Sequence, residues 1–193
     1  MRVIAGKYKG RNLKTLKGDT TRPTTMRVKE SLFSSLISIR GDFDGIVVLD
    51  AFAGSGALGI ESLSRGATKA VFFERSKQAA QIVKDNLALL QDAHDKALLE
   101  LGDTARLAMR KRPYAFDLVF FDPPYVYAVQ EVFDIIASLD EAGVLNTGAL
   151  ICYELSKKNK EMCAVEAHRV KCELVSMKDF GETTYVILRK GNE

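Results

Sequence analysis

Two short stretches of the 193-residue chain hold side chains whose types and spacing suit chemistry. One is Asp122-Pro123-Pro124-Tyr125, directly after the apolar run Asp117-Leu118-Val119-Phe120-Phe121. An exocyclic amine on a nucleic-acid base is a poor nucleophile, because its lone pair is delocalised into the ring. Two acceptors, here the Asp122 carboxylate and the Pro123 carbonyl, can take its two N–H bonds and turn the lone pair toward an electrophile. Consecutive prolines fix φ and lack an N–H, so Pro123-Pro124 makes a stiff ledge. The face of Tyr125 can stack on the base, a contact worth about 1–3 kcal/mol. A rigid Pro-Pro turn without chemistry is the plain alternative.

The other stretch is Asp50-Ala51-Phe52-Ala53-Gly54-Ser55-Gly56-Ala57-Leu58-Gly59. Glycines where a strand turns into a helix let the backbone approach a ligand and aim helix N-terminal N–H groups at it. Asp50, Ala53, Gly54, Ser55 and Gly56 are the candidate cofactor contacts here. Gly54, Gly56 and Gly59 match the dinucleotide fingerprint, so the loop alone suits NAD and S-adenosylmethionine equally, or a tight turn with no ligand. Glu74, ending the run Ala70-Val71-Phe72-Phe73, can accept hydrogen bonds from both hydroxyls of a ribose; Arg75 beside it joins the candidate set. Asp103 could accept an adenine amino group or could equally cap the helix that follows.

These stretches need strands and helices to position them. Ile46-Val47-Val48-Leu49, Ala70–Phe73, Ala97–Leu101, Asp117–Phe121 and Ala149–Tyr153 read as strands, the first an unbroken apolar run expected of a strand buried on both faces. Helical patterns alternate with them: Ala57 to Arg65, closed by Gly66, then one through about Leu90, then Val129 to Leu139. An earlier stripe, Val28, Leu32, Leu36 and Ile39, predicts a helix capped by Thr24 and ended by Gly41. Such alternation argues for a parallel sheet with helices on both faces and ligands at its carboxyl edge. Val170–Met177 and Thr183–Leu188 are too close for a crossover helix and must form a hairpin, placing one antiparallel strand in that sheet. Val3-Ile4-Ala5 and Asn12-Leu13-Lys14-Thr15 read as a hairpin-like N-terminal arm with turn freedom at Gly6 and Gly10.

Charge is divided unevenly. Residues 1–29 carry nine basic side chains against Asp19 alone, a net of +8, leaving −5 on the other 164 residues of a chain whose total is +3. A basic arm on a mildly acidic body suggests a polyanionic partner, with Arg2, Lys7, Lys9, Arg11 and Lys14 as candidate RNA contacts and Tyr8 as a stacking platform. A solvated tail accounts for the same charge. Cys152, Cys163 and Cys172 lack metal spacing, and His94 and His168 stand alone, so buried reduced thiols, no metal and no His-based triad are expected. No apolar run reaches the roughly 20 residues of a membrane span. Charge comes too early for a signal-peptide core, so the cytoplasm is expected.

Taken together, the Gly-Ser-Gly loop, Glu74 and Asp122-Pro123-Pro124-Tyr125 resemble the motifs of amino-directed class I methyltransferases. Arg2-Val3-Ile4-Ala5-Gly6, Arg22-Pro23-Thr24 with Val28-Lys29-Glu30-Ser31-Leu32-Phe33, Phe52–Gly59 and Phe180-Gly181-Glu182-Thr183 look like the bacterial 16S rRNA guanine-N2 methyltransferase (RsmD-type) pattern, end to end. One departure is Ala51, where that family usually has a larger aliphatic residue. The resemblance implies an α/β, Rossmann-like class I methyltransferase fold: a seven-stranded, mostly parallel sheet with one antiparallel strand from the C-terminal hairpin. It implies a basic arm over residues 1–21 and a methyltransferase domain over 22–193, with Arg22, Thr24 and the following helix closing over S-adenosylmethionine. The implied substrate is one guanine of 16S rRNA, at the 966 N2 position, in free RNA or an assembling 30S subunit, with the enzyme a monomer.

The reaction so implied is in-line methyl transfer to guanine N2, with Asp122 stabilising the charge that develops and accepting a proton. No Pro-Cys replaces Pro123-Pro124, which counts against cysteine-dependent C5 methylation of pyrimidines. The base must leave its stack to reach such a pocket. Adenine N6 in DNA or RNA, or a protein glutamine amide, would suit the same ledge. An NAD-dependent oxidoreductase would explain the glycines but not the ledge or the arm, and a non-catalytic RNA-binding module would explain the arm alone.

Overall fold

The structure is a computed structural model. It describes residues 1–16, 23–124 and 126–191; the side chains of residues 23–25 also lie outside the described set. Seven strands form one sheet in the order β3-β2-β1-β4-β5-β7-β6, and the chain divides into two compact units, Met1–Gly102 and Asp103–Glu193.

The first unit holds α1 (Pro23–Arg40), β1 (Val47–Asp50), α2 (Ala57–Ser64), β2 (Lys69–Glu74), α3 (Lys77–Ala88) and β3 (Ala97–Leu101). β1 and β3 flank β2 in parallel, with Asp50 opposite Phe72 and Glu74 opposite Leu101. Val48, Leu49, Val71, Phe72 and Phe73 are fully buried, as apolar runs covered on both faces should be. Helix α1 begins at Pro23, ahead of the expected Thr24 cap. Proline suits that first helical position, where an N–H has no helical partner to lose.

The N-terminal residues form the expected hairpin-like turn, though as a single antiparallel bridge, Arg2 to Asn12, rather than two strands. Val3 N–H donates to Arg11 O at 3.0 Å and Gly10 N–H to Val3 O at 2.9 Å. This turn is docked by a buried acid: Glu61 on α2 accepts from the Ile4 and Ala5 N–H groups at 2.8 and 3.0 Å. The same carboxylate pairs with Lys29 at 3.0 Å and Arg65 at 2.9 Å. A buried carboxylate is tolerable only when so fully partnered. Gly6, at φ +80°, presses on α2 so closely that a Cβ there would fall 1.7 Å from Ser64 O, so no other residue fits.

The second unit holds α4 (Thr104–Ala108), β4 (Phe116–Phe121), α5 (Val129–Glu141), β5 (Leu145–Ser156), α6 (Lys160–Arg169), β6 (Cys172–Phe180) and β7 (Thr183–Lys190). β4 and β5 are parallel, while β7 lies antiparallel between β5 and β6, as the C-terminal hairpin required. Three details differ from the sequence reading. β5 starts at Leu145 rather than Ala149, its early residues Asn146, Thr147 and Gly148 being polar or flexible and exposed. Helix α6 was unforeseen, because exposed Met162 and Val165 interleave with buried Cys163, Glu166 and Ala167 and blur any apolar stripe. β6 runs on through Phe180, so Gly181-Glu182 alone make the turn, with Gly181 at φ +62°, the positive φ that tight hairpins demand.

Candidate functional site

In the first unit the glycine loop joins β1 to α2. Gly54 and Gly56 have φ of +53° and +76°, and Gly56 is the N-cap of α2. Gly59 is required for a different reason: a Cβ there would lie 2.3 Å from Cε1 of Phe72, so α2 could not rest on β2. Ala53 N–H donates to Phe73 O at 3.0 Å, tying the loop to the neighbouring strand. Ala51 is fully buried beneath it.

Asp50 sits under the loop rather than on its outer face. Its Oδ2 accepts from Gly59 N–H at 3.0 Å and the side chain is buried. Burial pushes its carboxyl up to about 7, partly opposed by the Gly59 N–H and helped by nearby Glu74. Asp50 therefore shapes the loop from below.

Glu74, at the end of β2, reaches across to the loop. Oε2 accepts from Gly54 N–H at 2.9 Å and Oε1 from Ser76 N–H at 2.7 Å. A carboxylate has about four acceptor positions, so two remain for the ribose hydroxyls expected there. Arg75 follows it, exposed. A residue that sequence reasoning missed braces the loop from behind. Asn86 of α3, fully buried, donates from Nδ2 to Ser55 O at 2.9 Å and to Lys14 O at 3.0 Å, while its Oδ1 accepts from Lys14 N–H at 2.7 Å. A buried asparagine in an amphipathic helix was the available signal.

The candidate RNA contacts also lie in this unit. Lys7 pairs with Asp92, and Lys14 with Asp85 at 2.8 Å. Arg2, Lys9 and Arg11 are exposed. Tyr8 differs from expectation: it is 6% exposed, with its hydroxyl donating to Gln91 O at 2.7 Å. Its ring packs the turn against the body instead of standing open for stacking.

In the second unit, Asp103 N-caps α4, its Oδ1 accepting from Arg106 N–H at 3.2 Å. This is the capping alternative, realised. The ledge leaves β4 at its carboxyl end: Asp122 and Pro124 are exposed and Pro123 half-buried. Tyr127 N–H donates to Pro124 O at 3.0 Å, closing a turn after the two prolines. Glu131 Oε2 then accepts from Ala128 N–H at 2.7 Å where α5 begins. Asp122 has a neighbour that the sequence did not reveal: with Phe121 opposite Tyr153 and Glu154 opposite Tyr185, Glu154 of β5 lies beside it and beside Tyr185 of β7. Arg22, the Thr24 side chain and Tyr125 lie outside the described residues.

Both units match known proteins. The family model described as Conserved hypothetical protein 95 matches residues 1–189. The Ribosomal RNA small subunit methyltransferase D of Haemophilus influenzae is 39% identical over 160 residues, 81% of this chain and 79% of that protein. Its Escherichia coli K12 namesake is 36% identical over 159 residues, 82% of this chain and 76% of the relative. Among solved structures, Escherichia coli yhhF superposes with a TM-score of 0.81 at 30% identity, covering 100% of this chain and 99% of its own. The magnesium protoporphyrin IX methyltransferase of Synechocystis, solved with bound SAM, shares the fold at a TM-score of 0.72 and 14% identity, over 94% of this chain and 87% of that one. The chain thus belongs to the Conserved hypothetical protein 95 family, the family of the ribosomal RNA small subunit methyltransferase D proteins.

Proposed function

We propose that this chain methylates the exocyclic N2 of a guanine in 16S ribosomal RNA, at position 966, with S-adenosylmethionine as methyl donor. The observation that carries the reading is the exposed Asp122 carboxyl at the end of β4, followed at once by a two-proline ledge, in a chain whose relatives bear an rRNA methyltransferase name.

The glycine loop fits such a cofactor. A side chain at Gly54 would meet no atom within 4 Å, so space lies before the loop, and its positive φ suits glycine. Glu74 keeps acceptor capacity on the same side chain that already fixes Gly54. Ala53, Ser55 and Gly56 would line the methionine side and Glu74 the ribose. Arg75 and the uncommitted oxygen of Asp103 would serve the adenosine, and Arg22 and Thr24 would close over it. When bound, the cofactor supplies an activated methyl group on a sulfonium, so no covalent enzyme intermediate is needed.

The protein's own work lies at the ledge. Asp122 and the Pro123 carbonyl accept the two N–H bonds of the amine and direct its lone pair outward. Pro124 O is engaged by Tyr127 N–H, which leaves the Pro123 carbonyl as the acceptor for the substrate. Tyr125 stacks on the flipped base. As the new bond forms, the nitrogen gains positive charge, which Asp122 stabilises, and loss of one N–H proton then leaves the neutral N2-methyl amine.

The test is incubation with tritiated S-adenosylmethionine and unmodified 30S particles, naked 16S rRNA or DNA, followed by nucleoside analysis. Label in N2-methylguanosine is expected from one RNA substrate. Label in N6-methyladenosine, or in a protein glutamine, would reassign the acceptor. No transfer to any of these would remove the activity.

A further inference from the structure

The chemistry proposed above leaves one acid unused. β4 and β5 run parallel with Phe121 opposite Tyr153, so the next residue of each strand, Asp122 and Glu154, leave the sheet as neighbours. β5 and β7 run antiparallel with Glu154 opposite Tyr185, and directly opposed side chains share a face. Glu154 stands between the two, and both act on its carboxyl. Asp122 is exposed, Glu154 is half-buried and Tyr185 is 8% exposed, so the three side chains step from solvent into the sheet.

An ionised carboxylate accepts hydrogen bonds and donates none, so two carboxyl groups can bond to each other only through a proton. Burial raises the Glu154 carboxyl above the usual carboxylate range, against the pull of its bonds to Tyr185 and Asp122. Burial, reinforced by the Asp122 and Glu154 charges, holds the Tyr185 hydroxyl well above its ordinary value, so it stays protonated and donates. Two further groups face this chain. Cys152 lies two residues back on β5, its thiol pushed up by burial, and Lys178 of β6 pairs opposite Tyr185 and is exposed.

We propose that Glu154, anchored by Tyr185, is the positioning residue for Asp122: it holds the Asp122 carboxyl through a shared proton and so fixes how that carboxyl meets the substrate amine. This rests on the reading of Asp122 as the acid that orients the amine. Its consequence is a pH dependence with a definite sign. When rising pH removes the shared proton, two carboxylates face each other, the bond becomes a repulsion and Asp122 loses its orientation. Turnover therefore falls on the alkaline side.

The experiment compares kcat against pH for the wild type, Glu154→Gln and Glu154→Ala, with S-adenosylhomocysteine affinity showing that each variant is folded. A glutamine amide donates permanently to Asp122 and still accepts from Tyr185. Glu154→Gln should therefore retain most of kcat and lose the alkaline decline. Glu154→Ala should lower kcat by about ten- to a hundredfold, the scale of a misplaced reacting group, with cofactor affinity unchanged. A Glu154→Ala enzyme with wild-type kcat, or a Glu154→Gln enzyme that keeps the alkaline decline, overturns the proposal. Should Glu154→Ala fail to fold, the Glu154→Gln profile decides alone. Asp122→Ala separates the two readings: an inactive Asp122→Ala beside an unimpaired Glu154→Ala sinks only the positioning role, whereas an active Asp122→Ala sinks the ledge itself.

Discussion

The carboxylates at the ends of β2 and β4 are held in opposite ways. Glu74 is gripped by two backbone N–H groups, those of Gly54 and Ser76, which neither titrate nor move without the chain. Asp122 stands beside another side-chain acid, Glu154, which faces Tyr185, and by our proposal that acid holds it. Backbone donors suit a group that must stay where a ligand will find it. A titratable partner suits a group whose hydrogen bonding changes as a neighbouring amine gains charge. The difference predicts that mutations on the two sides fail in different steps.

The largest separation should come from Asp122→Ala. If Asp122 acts on the amine in the transition state, as proposed, turnover should fall by about 10²–10⁴-fold, while calorimetry with S-adenosylhomocysteine shows nearly unchanged affinity. An enzyme that instead lost cofactor affinity with kcat intact would mean that both acids serve the same step. The two carboxylates would then differ in their supports but not in their roles.

Asp50→Asn probes the loop from beneath. Burial raises the Asp50 carboxyl to about 7, above its value in the unfolded chain. The folded state therefore binds a proton more readily than the unfolded one. The stabilising contribution is complete below about pH 4 and is lost as pH rises through about 7. Between pH 5 and 8 it should decline by roughly 3 kcal/mol. Denaturant titrations of wild type and Asp50→Asn at both pH values should show the variant losing less stability across that window. Equal losses would mean that Asp50 is ionised throughout.

Glu74→Ala should weaken S-adenosylhomocysteine binding by about 1.5–3 kcal/mol, the worth of hydrogen bonds to a charged group. Unchanged affinity in a folded variant would take Glu74 out of the cofactor site, and tighter binding of NAD would overturn the choice of cofactor.

Much of this contrast was visible in residue order because it rests on short-range chemistry. The Gly54/Gly56/Gly59 spacing, the acid at the end of a β-rich run and the Asp-Pro-Pro ledge each announce a local backbone shape. Partners brought together by the sheet were not visible. Nothing in the chain marks Glu154, 32 positions after Asp122, as its neighbour until β4 and β5 pair in register. Asn86 was hidden likewise, since only the docking of α3 brings it to Ser55 and Lys14. Glu61 gathers Lys29, Arg65 and two backbone N–H groups into one buried cluster, and no local pattern in residue order marks it for that. Tyr8 shows the opposite error: among lysines it reads as a surface ring, but the turn between Gly6 and Gly10 rolls it inward.

The smallest effect is expected from the N-terminal turn, where the structure sharpens a prediction that charge alone leaves blunt. Lys7 and Lys14 already pair with Asp92 and Asp85, so each brings an acid close to any phosphate it meets. Exposed pairs of this kind hold their partners weakly, but the nearby negative charge remains when the lysine turns to RNA. Lys9 and Arg11 are exposed on the same turn, and we propose that they grip phosphate more strongly. Each cation taken off a phosphate should lower the slope of log affinity against log salt by about 0.7–0.9. Neutralising Lys9 and Arg11 together should flatten the slope by nearly two such steps, whereas neutralising Lys7 and Lys14 should flatten it less. Cofactor affinity should not move with Lys9 and Arg11, since neither touches the loop. Lys14 is a harder case: its backbone, not its side chain, meets Asn86, so Lys14→Gln preserves that brace. An unaltered slope in a quadruple Lys7, Lys9, Arg11 and Lys14 variant would make the turn a purely structural clasp on Glu61. Identical slopes for the two double variants would show instead that the acidic partners do not discriminate among these cations.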